Sequence, residues 1–249
     1  MKKLLLVLFL IIMPVTSFSA SSNYSCAPID YQVMVNGSAM TFTDAPPMNY
    51  SGRTMLPLRA VSEALSVPIL WDGKKVVINT VDIEALKKAC IMITADDGKT
   101  AVQGSGVFID YDEVLTANHV VKDRPNVKSD GLTLTITETN PSEDAAILHS
   151  TESVKPVIIG DSDTLKVGDV IYVISAPNGK EDTVTKGTIT SFGITNDRYC
   201  FHSKAITSGG SSGGAVFNSN GQLIGIVQSG YLDTSDFIPI NDIRKTLAN

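Results

Sequence analysis

Gly210-Ser211-Ser212-Gly213-Gly214-Ala215-Val216-Phe217 is the stretch that decides the fold, because it joins a glycine-rich turn directly to an apolar run. Glycines on both sides of Ser212 let the backbone turn sharply, so that N–H groups can converge beside its hydroxyl. Flexible Gly/Ser linkers have a similar composition. That alternative fits poorly, since a second apolar run, Leu223 to Val227, follows closely. The segment therefore predicts a rigid turn that presents Ser212.

Two segments upstream carry a histidine and an aspartate at the ends of apolar runs. His119 follows Leu115-Thr116-Ala117-Asn118, and Asp144 precedes Ala145-Ala146-Ile147-Leu148. An imidazole can take a proton from a hydroxyl and return it to a leaving group, and a buried Asp can fix its tautomer. Alone, each residue is commonplace in strand ends and turns. The ordered set His119, Asp144 and Ser212 is informative, because a serine hydroxyl needs a base that a third group orients.

The rest of the chain from Cys90 onward consists of short apolar runs separated by turn residues. The clearest runs are Gln103 to Ile109, Leu132 to Thr137, Val170 to Ile174 and Leu223 to Val227, and a helical pattern covers Ile240 to Leu247. Many short strands with one helical tail predict a barrel or sandwich and not an α/β sheet.

From about Cys90 to Asn249 the chain resembles the trypsin-like serine peptidases of the bacterial HtrA (Deg) type, whose chain order is likewise His, Asp, Ser. Beyond the three segments above, the matching stretches are Gly104-Ser105-Gly106-Val107-Phe108-Ile109, Gly160-Asp161-Ser162-Asp163, Val167-Gly168-Asp169 and Phe237-Ile238-Pro239-Ile240. The resemblance implies a mostly β, chymotrypsin-like double β-barrel over residues 88–249, with the active site between two six-stranded barrels.

The resemblance also implies roles for single residues. Ser212 would attack a peptide carbonyl, His119 would act as base and then acid, and Asp144 would orient His119. The backbone N–H groups of Gly210 and Ser212 would form the oxyanion hole. Ser211 and Gly209 stand where Asn and Pro are common in that family, so we expect a less preorganised oxyanion loop, consistent with a zymogen-like or regulated state.

By the same resemblance, Ile206 would form the base of the primary specificity pocket. An apolar base cannot pair with Lys or Arg, so we expect cleavage of protein or peptide substrates after small or apolar residues. The expected pocket walls are Ala205, Thr207, Gln228, Ser229 and Gly230.

The first 19 residues have the layout of a secretory signal peptide. Lys2 and Lys3 precede an apolar run, Leu4 to Met13, which is followed by the small-residue stretch Ser17-Phe18-Ser19-Ala20. Cleavage after Ser19 would make the protein secreted or cell-surface, and the alternative is an uncleaved segment that anchors it to the membrane.

Residues 30–80 form a separate region with short alternating runs, including Tyr31 to Val35 and Ala39 to Phe42, and a helical pattern over Leu58 to Leu65, which predict a small α+β domain. The region resembles the copper amine oxidase N-terminal-like domain. The carrying residues are Val35-Asn36-Gly37, Pro46-Pro47, Gly52-Arg53-Thr54-Met55-Leu56-Pro57-Leu58-Arg59, Glu63-Ala64-Leu65 and Trp71-Asp72. We expect a spacer or a module that contacts the cell wall or surface.

No metal or other cofactor is expected in either region. All three histidines, His119, His149 and His202, lie outside residues 30–80, and neither His149 nor His202 has a partner at metal-ligand spacing. Four methionines of the small domain offer thioethers to Cu(I), but core packing is the preferred interpretation. They are Met34, Met40, Met48 and Met55.

Charge and cysteine content limit the remaining functions. Twenty Lys+Arg against 26 Asp+Glu give a net charge of −6, which argues against a general nucleic-acid binder. The three cysteines leave two alternatives open, a bridge between Cys90 and Cys200 or buried free thiols. The rival to a serine endopeptidase is a catalytically silent barrel that binds peptides, or cell-wall material through residues 30–80.

Overall fold

The computed structural model divides the chain into two compact units, Met1–Val61 and Ser62–Asn249. It describes residues 26–29, 32–35, 37–43, 45–65, 67, 69–71, 73–78, 81–205, 207–231 and 234–247. The expected signal peptide, residues 1–19, lies outside these ranges and stays a prediction. The longest helices that the structure describes have eight residues, and none of the described helices could span a membrane.

The first unit is built from short strands. They are β1 (Cys26–Pro28), β2 (Met34–Val35), β3 (Ser38–Ala39), β4 (Met48–Tyr50) and β5 (Arg53–Met55). Strands β1, β4 and β5 form an antiparallel sheet in that order, and β2 pairs with β3. Helix α1 (Leu58–Leu65) follows with the bounds that its sequence pattern predicted.

Two expectations for the small domain are wrong in part. The predicted strand Ala39 to Phe42 ends at Ala39 in the structure, although the Met40 N–H still donates to the Val33 carbonyl at 2.9 Å, in register with the hairpin. Core packing is wrong for two of the methionines, since Met34 and Met55 are more than half exposed. Tyr31 lies outside the described residues.

A hairpin and a short helix lead into the first barrel. They are β6 (Ile69–Trp71), β7 (Val76–Ile78) and α2 (Ile83–Lys87). The Asp82 carboxylate caps α2 by accepting the Ala85 N–H at 3.0 Å, which starts the helix at Ile83.

The first barrel is closed by six antiparallel strands in the order β10-β13-β12-β11-β8-β9. They are β8 (Cys90–Asp96), β9 (Ala101–Phe108), β10 (Glu113–Ala117), β11 (Asn126–Ser129), β12 (Leu132–Asn140) and β13 (Ala145–Ser150), and helix α3 (Asn118–Val121) interrupts them after β10. Successive side chains of a strand point alternately into the barrel and toward solvent, so Leu134 of β12 is buried between the exposed Thr133 and Thr135.

The second barrel follows after the short strand β14 (Ile158–Ile159). Its strands are β15 (Val170–Ser175), β16 (Thr183–Thr195), β17 (Arg198–Ser203), β18 (Ala215–Asn218), β19 (Gln222–Tyr231) and β20 (Thr234–Pro239), and helix α4 (Ile240–Leu247) ends the described chain. Pairing of β19 with β20 closes the ring, and β14 adds to β19 in parallel. Phe201 and Phe237 fill the interior with ring centroids 5.2 Å apart.

The mostly β double barrel preceded by a small domain confirms the predicted fold class. The Cys90–Cys200 bridge is absent: both thiols are free, with Cys90 on β8 of the first barrel and Cys200 on β17 of the second. Burial raises the pKa of Cys200 to about 12, so its thiol is protonated and unreactive at neutral pH.

Candidate active site

Strand register brings the predicted histidine and aspartate together. Ala117 at the end of β10 pairs with Ala145 at the start of β13, so the residues just beyond these strand ends are neighbours. The Asn118 N–H donates to the Asp144 carbonyl at 2.9 Å, which fixes the turn before β13 to the first residue of α3. His119, one residue later, is thereby held beside the Asp144 side chain.

Both carboxylate oxygens of Asp144 are bonded to His119. Oδ2 lies 2.7 Å from the ring Nδ1, and Oδ1 accepts the His119 backbone N–H at 2.9 Å. The Asp144 side chain is 8% exposed and the His119 side chain 46%, so the acid is enclosed while the imidazole is open to a ligand. A carboxylate at Nδ1 favours the tautomer with the proton on Nδ1 and leaves Nε2 as the base.

The serine turn packs against the same strand end. Gly213, at φ +80°, has no room for a side chain, because a Cβ there would overlap the Ser105 carbonyl and the Thr116 hydroxyl and lie 2.7 Å from the Ala117 amide nitrogen. This contact places Gly213, which follows Ser212, against Ala117, which lies two residues before His119. The structure therefore brings all three predicted residues to the place where the two barrels meet.

The Ser212 hydroxyl forms no hydrogen bond with the imidazole in this conformation. Its Oγ donates instead to the Gln228 carbonyl at 3.4 Å, and the hydrogen bonds of the described residues include none between Ser212 and His119. Nucleophile–base contacts are often long or missing before substrate binds, so the side chain has to turn toward His119 for reaction.

The backbone around the serine is fixed through its carbonyls. The Gly209 carbonyl accepts the Asn178 N–H at 2.7 Å, and the Ser211 carbonyl accepts the Gly214 N–H at 2.8 Å. The peptide unit is planar with C=O and N–H on opposite sides, so these contacts orient the N–H groups of Gly210 and Ser212, the two expected oxyanion donors. Within the described chain neither N–H has an intramolecular acceptor. The loop is more restrained than its extra glycine predicted.

The residues expected to line the specificity pocket fall into two groups. Ala205 and Thr207 are buried, and the Thr207 hydroxyl lies 2.8 Å from that of Ser235, which the sequence analysis did not single out. Gly230 packs directly on Thr207, with a hypothetical Cβ 2.9 Å from the Thr207 carbonyl oxygen. The space between these two segments is therefore narrow. Ile206 lies outside the described residues, so its expected place at the pocket base stays a prediction.

The other two expected wall residues point their side chains elsewhere. The Gln228 Oε1 accepts from the buried Cys200 thiol at 3.2 Å, so only the Gln228 carbonyl faces Ser212. Ser229 Oγ donates to Asp236 at 2.8 Å, and the other oxygen of Asp236 lies 2.8 Å from Nδ1 of His202. This row crosses strands β19, β20 and β17, whose register no sequence pattern revealed.

The remaining histidine, His149, is a surface residue. His149 is 52% exposed and lies 3.6 Å from the exposed carboxylate of Asp112. Among the described residues no group of His, Cys, Asp and Glu side chains could hold a metal ion.

A double barrel with a His–Asp pair beside a glycine-flanked serine has the architecture of the chymotrypsin-like serine peptidases. Residues 104–226 match the family described as trypsin-like peptidase domain, and residues 34–121 match the copper amine oxidase N-terminal domain. The second match extends into strands β8–β10 of the first barrel. Both expected resemblances are confirmed, and the chain is related to serine endopeptidases of the HtrA (DegP) type.

Curated relatives share about a third of the aligned residues. A probable periplasmic serine endoprotease DegP-like of Pseudomonas putida (strain W619) is 35% identical over 155 residues, which is 55% of this chain and 32% of that protein. The periplasmic serine endoprotease DegP of Escherichia coli (strain K12) is 36% identical over 137 residues, 49% of this chain and 29% of DegP. The chain thus spans about a third of the length of these relatives.

Solved structures show the same fold. The active form of the Rv3671c protease from M. tuberculosis superposes with a TM-score of 0.61 at 23% identity, covering 67% of this chain and 82% of that one. An HtrA-type protease solved with a tripeptide superposes with a TM-score of 0.62 at 23% identity, covering 67% of this chain and 61% of that one.

Proposed function

We propose that the protein is an extracytoplasmic serine endopeptidase that hydrolyses peptide bonds through an acyl-enzyme. The observation that carries the proposal is the double hydrogen bond from His119 to the enclosed Asp144 carboxylate beside the Ser212 turn. An imidazole oriented in this way, with Nε2 open, is suited to activate a neighbouring hydroxyl. The relatives named periplasmic serine endoproteases support the extracytoplasmic location and the reaction class.

In the proposed reaction Ser212 Oγ first turns from the Gln228 carbonyl toward His119. Oγ then bonds to the substrate carbonyl carbon while its proton passes to His119 Nε2, and the carbonyl electrons move onto the oxygen. The N–H groups of Gly210 and Ser212 donate hydrogen bonds to this oxyanion, and Asp144 stabilises the imidazolium. When the oxyanion collapses, the C–N bond breaks and the amine leaves with the proton from His119.

The second half of the reaction restores the enzyme. A water molecule gives a proton to His119 Nε2 as its oxygen attacks the acyl carbon, and the second tetrahedral intermediate collapses to release the carboxylic acid. The Ser212 oxygen takes back the proton from His119. The proposed steps consume only the peptide substrate and one water molecule.

The narrow space between Thr207 and Gly230 supports a preference for small side chains before the cleaved bond. Thr207 and Ser235 present neutral hydroxyls there, which cannot pair with the charge of Lys or Arg. The preference for small or apolar residues therefore belongs to the proposal, together with Ile206 at the pocket base. We assign the region of residues 30–80 to contact with the cell wall or surface.

The proposal is tested with the purified protein, a fluorophosphonate probe and a mixed-peptide cleavage assay. We expect labelling and cleavage by the wild type and loss of both in Ser212→Ala and His119→Ala. The matched control is His149→Ala, which removes an exposed histidine paired with Asp112 outside the site and keeps full activity. Well-folded wild-type protein that neither labels nor cleaves would leave the silent binding barrel as the better account.

A further inference from the structure

Ser105 is a buried polar residue in the middle of β9 whose hydroxyl and N–H group bond to loops of the second barrel. Its side chain is almost fully buried, at 1% exposure for the residue. The hydroxyl donates to the Gly210 carbonyl at 2.8 Å and accepts the Ala176 N–H at 2.9 Å. The Ser105 N–H donates to the Ser212 carbonyl, also at 2.8 Å. One residue of the first barrel thus holds the serine turn at two points.

These contacts complete a set of four consecutive carbonyls. Each carbonyl of residues 209–212 accepts a hydrogen bond. Asn178 and Gly214 donate to the carbonyls of residues 209 and 211, and Ser105 donates to those of residues 210 and 212. Three of the four donors are backbone N–H groups. The Ser105 hydroxyl is the main side-chain donor, since the Gln103 amide lies at 3.5 Å from the same Gly210 oxygen.

The position of that side-chain contact is what matters for chemistry. The Gly210 carbonyl belongs to the peptide unit between Gly210 and Ser211, which lies between the two expected oxyanion donors. If this unit rotates, the N–H groups of Gly210 and Ser212 change their relative direction. Gly210 is at φ +92° and, without a Cβ, can adopt many other backbone conformations, so contacts from outside the turn help to hold this one.

We propose that Ser105 is a positioning residue that holds the oxyanion donors in the geometry that the tetrahedral intermediate requires. The inference deepens the proposed function and rests on it. Ser105 contacts no substrate and acts only through the carbonyls of Gly210 and Ser212. Its loss therefore weakens transition-state binding more than substrate binding.

The test is steady-state kinetics of Ser105→Ala with a peptide that the wild type cleaves, together with the affinity of a matched peptide aldehyde. The aldehyde forms a tetrahedral adduct whose oxygen occupies the oxyanion hole. We expect kcat/KM to fall about 10- to 100-fold, which is less than the loss of a donor itself, mainly through kcat. The aldehyde should bind more weakly by a similar factor.

Ser150→Ala is the matched control, because Ser150 is also buried in the first barrel, at 2% exposure, and its hydroxyl accepts one backbone N–H, from Glu152. It should leave kinetics and aldehyde affinity unchanged. If Ser105→Ala does not fold, Gln103→Leu removes the weaker donor to Gly210, together with the closer contact of the same amide to the Ala176 carbonyl, and should give a smaller loss of the same kind.

Folded variants with wild-type kcat and aldehyde affinity, or with a loss confined to KM, overturn the role of Ser105. A wild type that is inactive toward both reagents instead overturns the proposed function, and this inference with it.

Discussion

Replacing Asp144 by Asn tests the geometry of the His–Asp pair with a change of one atom. The carboxylate accepts two hydrogen bonds from His119, one from the ring at 2.7 Å and one from the backbone at 2.9 Å. Asn has only one acceptor oxygen. If that oxygen keeps the backbone N–H, the amide NH₂ faces Nδ1 and forces the ring proton onto Nε2, where it blocks the base. If the amide flips, its NH₂ meets the backbone N–H, donor against donor.

The first arrangement removes the productive tautomer, and the second keeps it only by forcing two donors together, while the shape of the site stays intact in both. We expect kcat to fall about 10⁴-fold at neutral pH, which corresponds to about 5 kcal/mol of transition-state stabilisation. The loss of stability should be smaller, about 1–3 kcal/mol, because one charge-assisted hydrogen bond of a buried group is weakened.

The assay is peptide cleavage at neutral pH, with urea unfolding as the check on folding. Asp112→Asn is the matched control, since Asp112 faces His149 at 3.6 Å on the exposed surface of the same barrel. It should retain wild-type kcat. A folded Asp144→Asn variant with kcat within tenfold of the wild type would refute the role given to this pair.

Three further predictions concern packing, a loop contact and a thiol. Gly213→Ala should lose about 2–5 kcal/mol of stability in urea unfolding, because φ is +80° and a Cβ would overlap the first barrel, whereas Gly209→Ala, with open space, should stay near wild type. Arg198 donates at 2.7 Å to two carbonyls of the loop before Asp144, so Arg198→Ala should lower kcat about 3- to 10-fold in peptide cleavage, and unchanged kcat would exclude the coupling. In the folded protein the buried Cys200 thiol keeps its proton at pH values above its ordinary pKa of 9.0, whereas the unfolded chain loses it there. The free energy of unfolding should therefore fall as the pH rises from 9.0 toward about 12, and should fall less in Cys200→Ala. Rapid alkylation of native Cys200 by iodoacetamide below pH 9 would contradict this prediction.

The elements that could be predicted from sequence are those with local patterns. Helices α1 and α4 have the predicted bounds because their apolar residues recur with the helical period. His119 and Asp144 could be paired because each marks the end of an apolar strand, and strands of one barrel end at a common edge. The glycines beside Ser212 identified the turn, and Gly213 shows the physical reason.

The contacts that sequence analysis missed depend on register between distant strands. Asp236 contacts Ser229 and His202 only because β20 lies between β19 and β17, and a bulge shifts the register of β19 on β20. Ser105 was visible in a family motif, but its bonds to Gly210 and Ser212 join segments more than 100 residues apart. Cysteine count likewise could not show that Cys90 and Cys200 lie in different barrels.

The resting position of the Ser212 side chain connects these findings to regulation. Its hydroxyl is bonded to the Gln228 carbonyl, while Nε2 of His119 is open. A bond of 3.4 Å is weak, so a bound substrate that restricts the space above Ser212 can shift the hydroxyl toward the imidazole at small cost. The expected zymogen-like or regulated state stays a prediction.

The central claim, an activated serine at position 212, is tested most directly by mass spectrometry of the fluorophosphonate-treated protein. We predict one added phosphonyl group, mapped by peptide digestion to Ser212, with labelling abolished in Ser212→Ala and strongly slowed in Asp144→Asn. Modification at another serine, or labelling that persists in Ser212→Ala, would contradict the account.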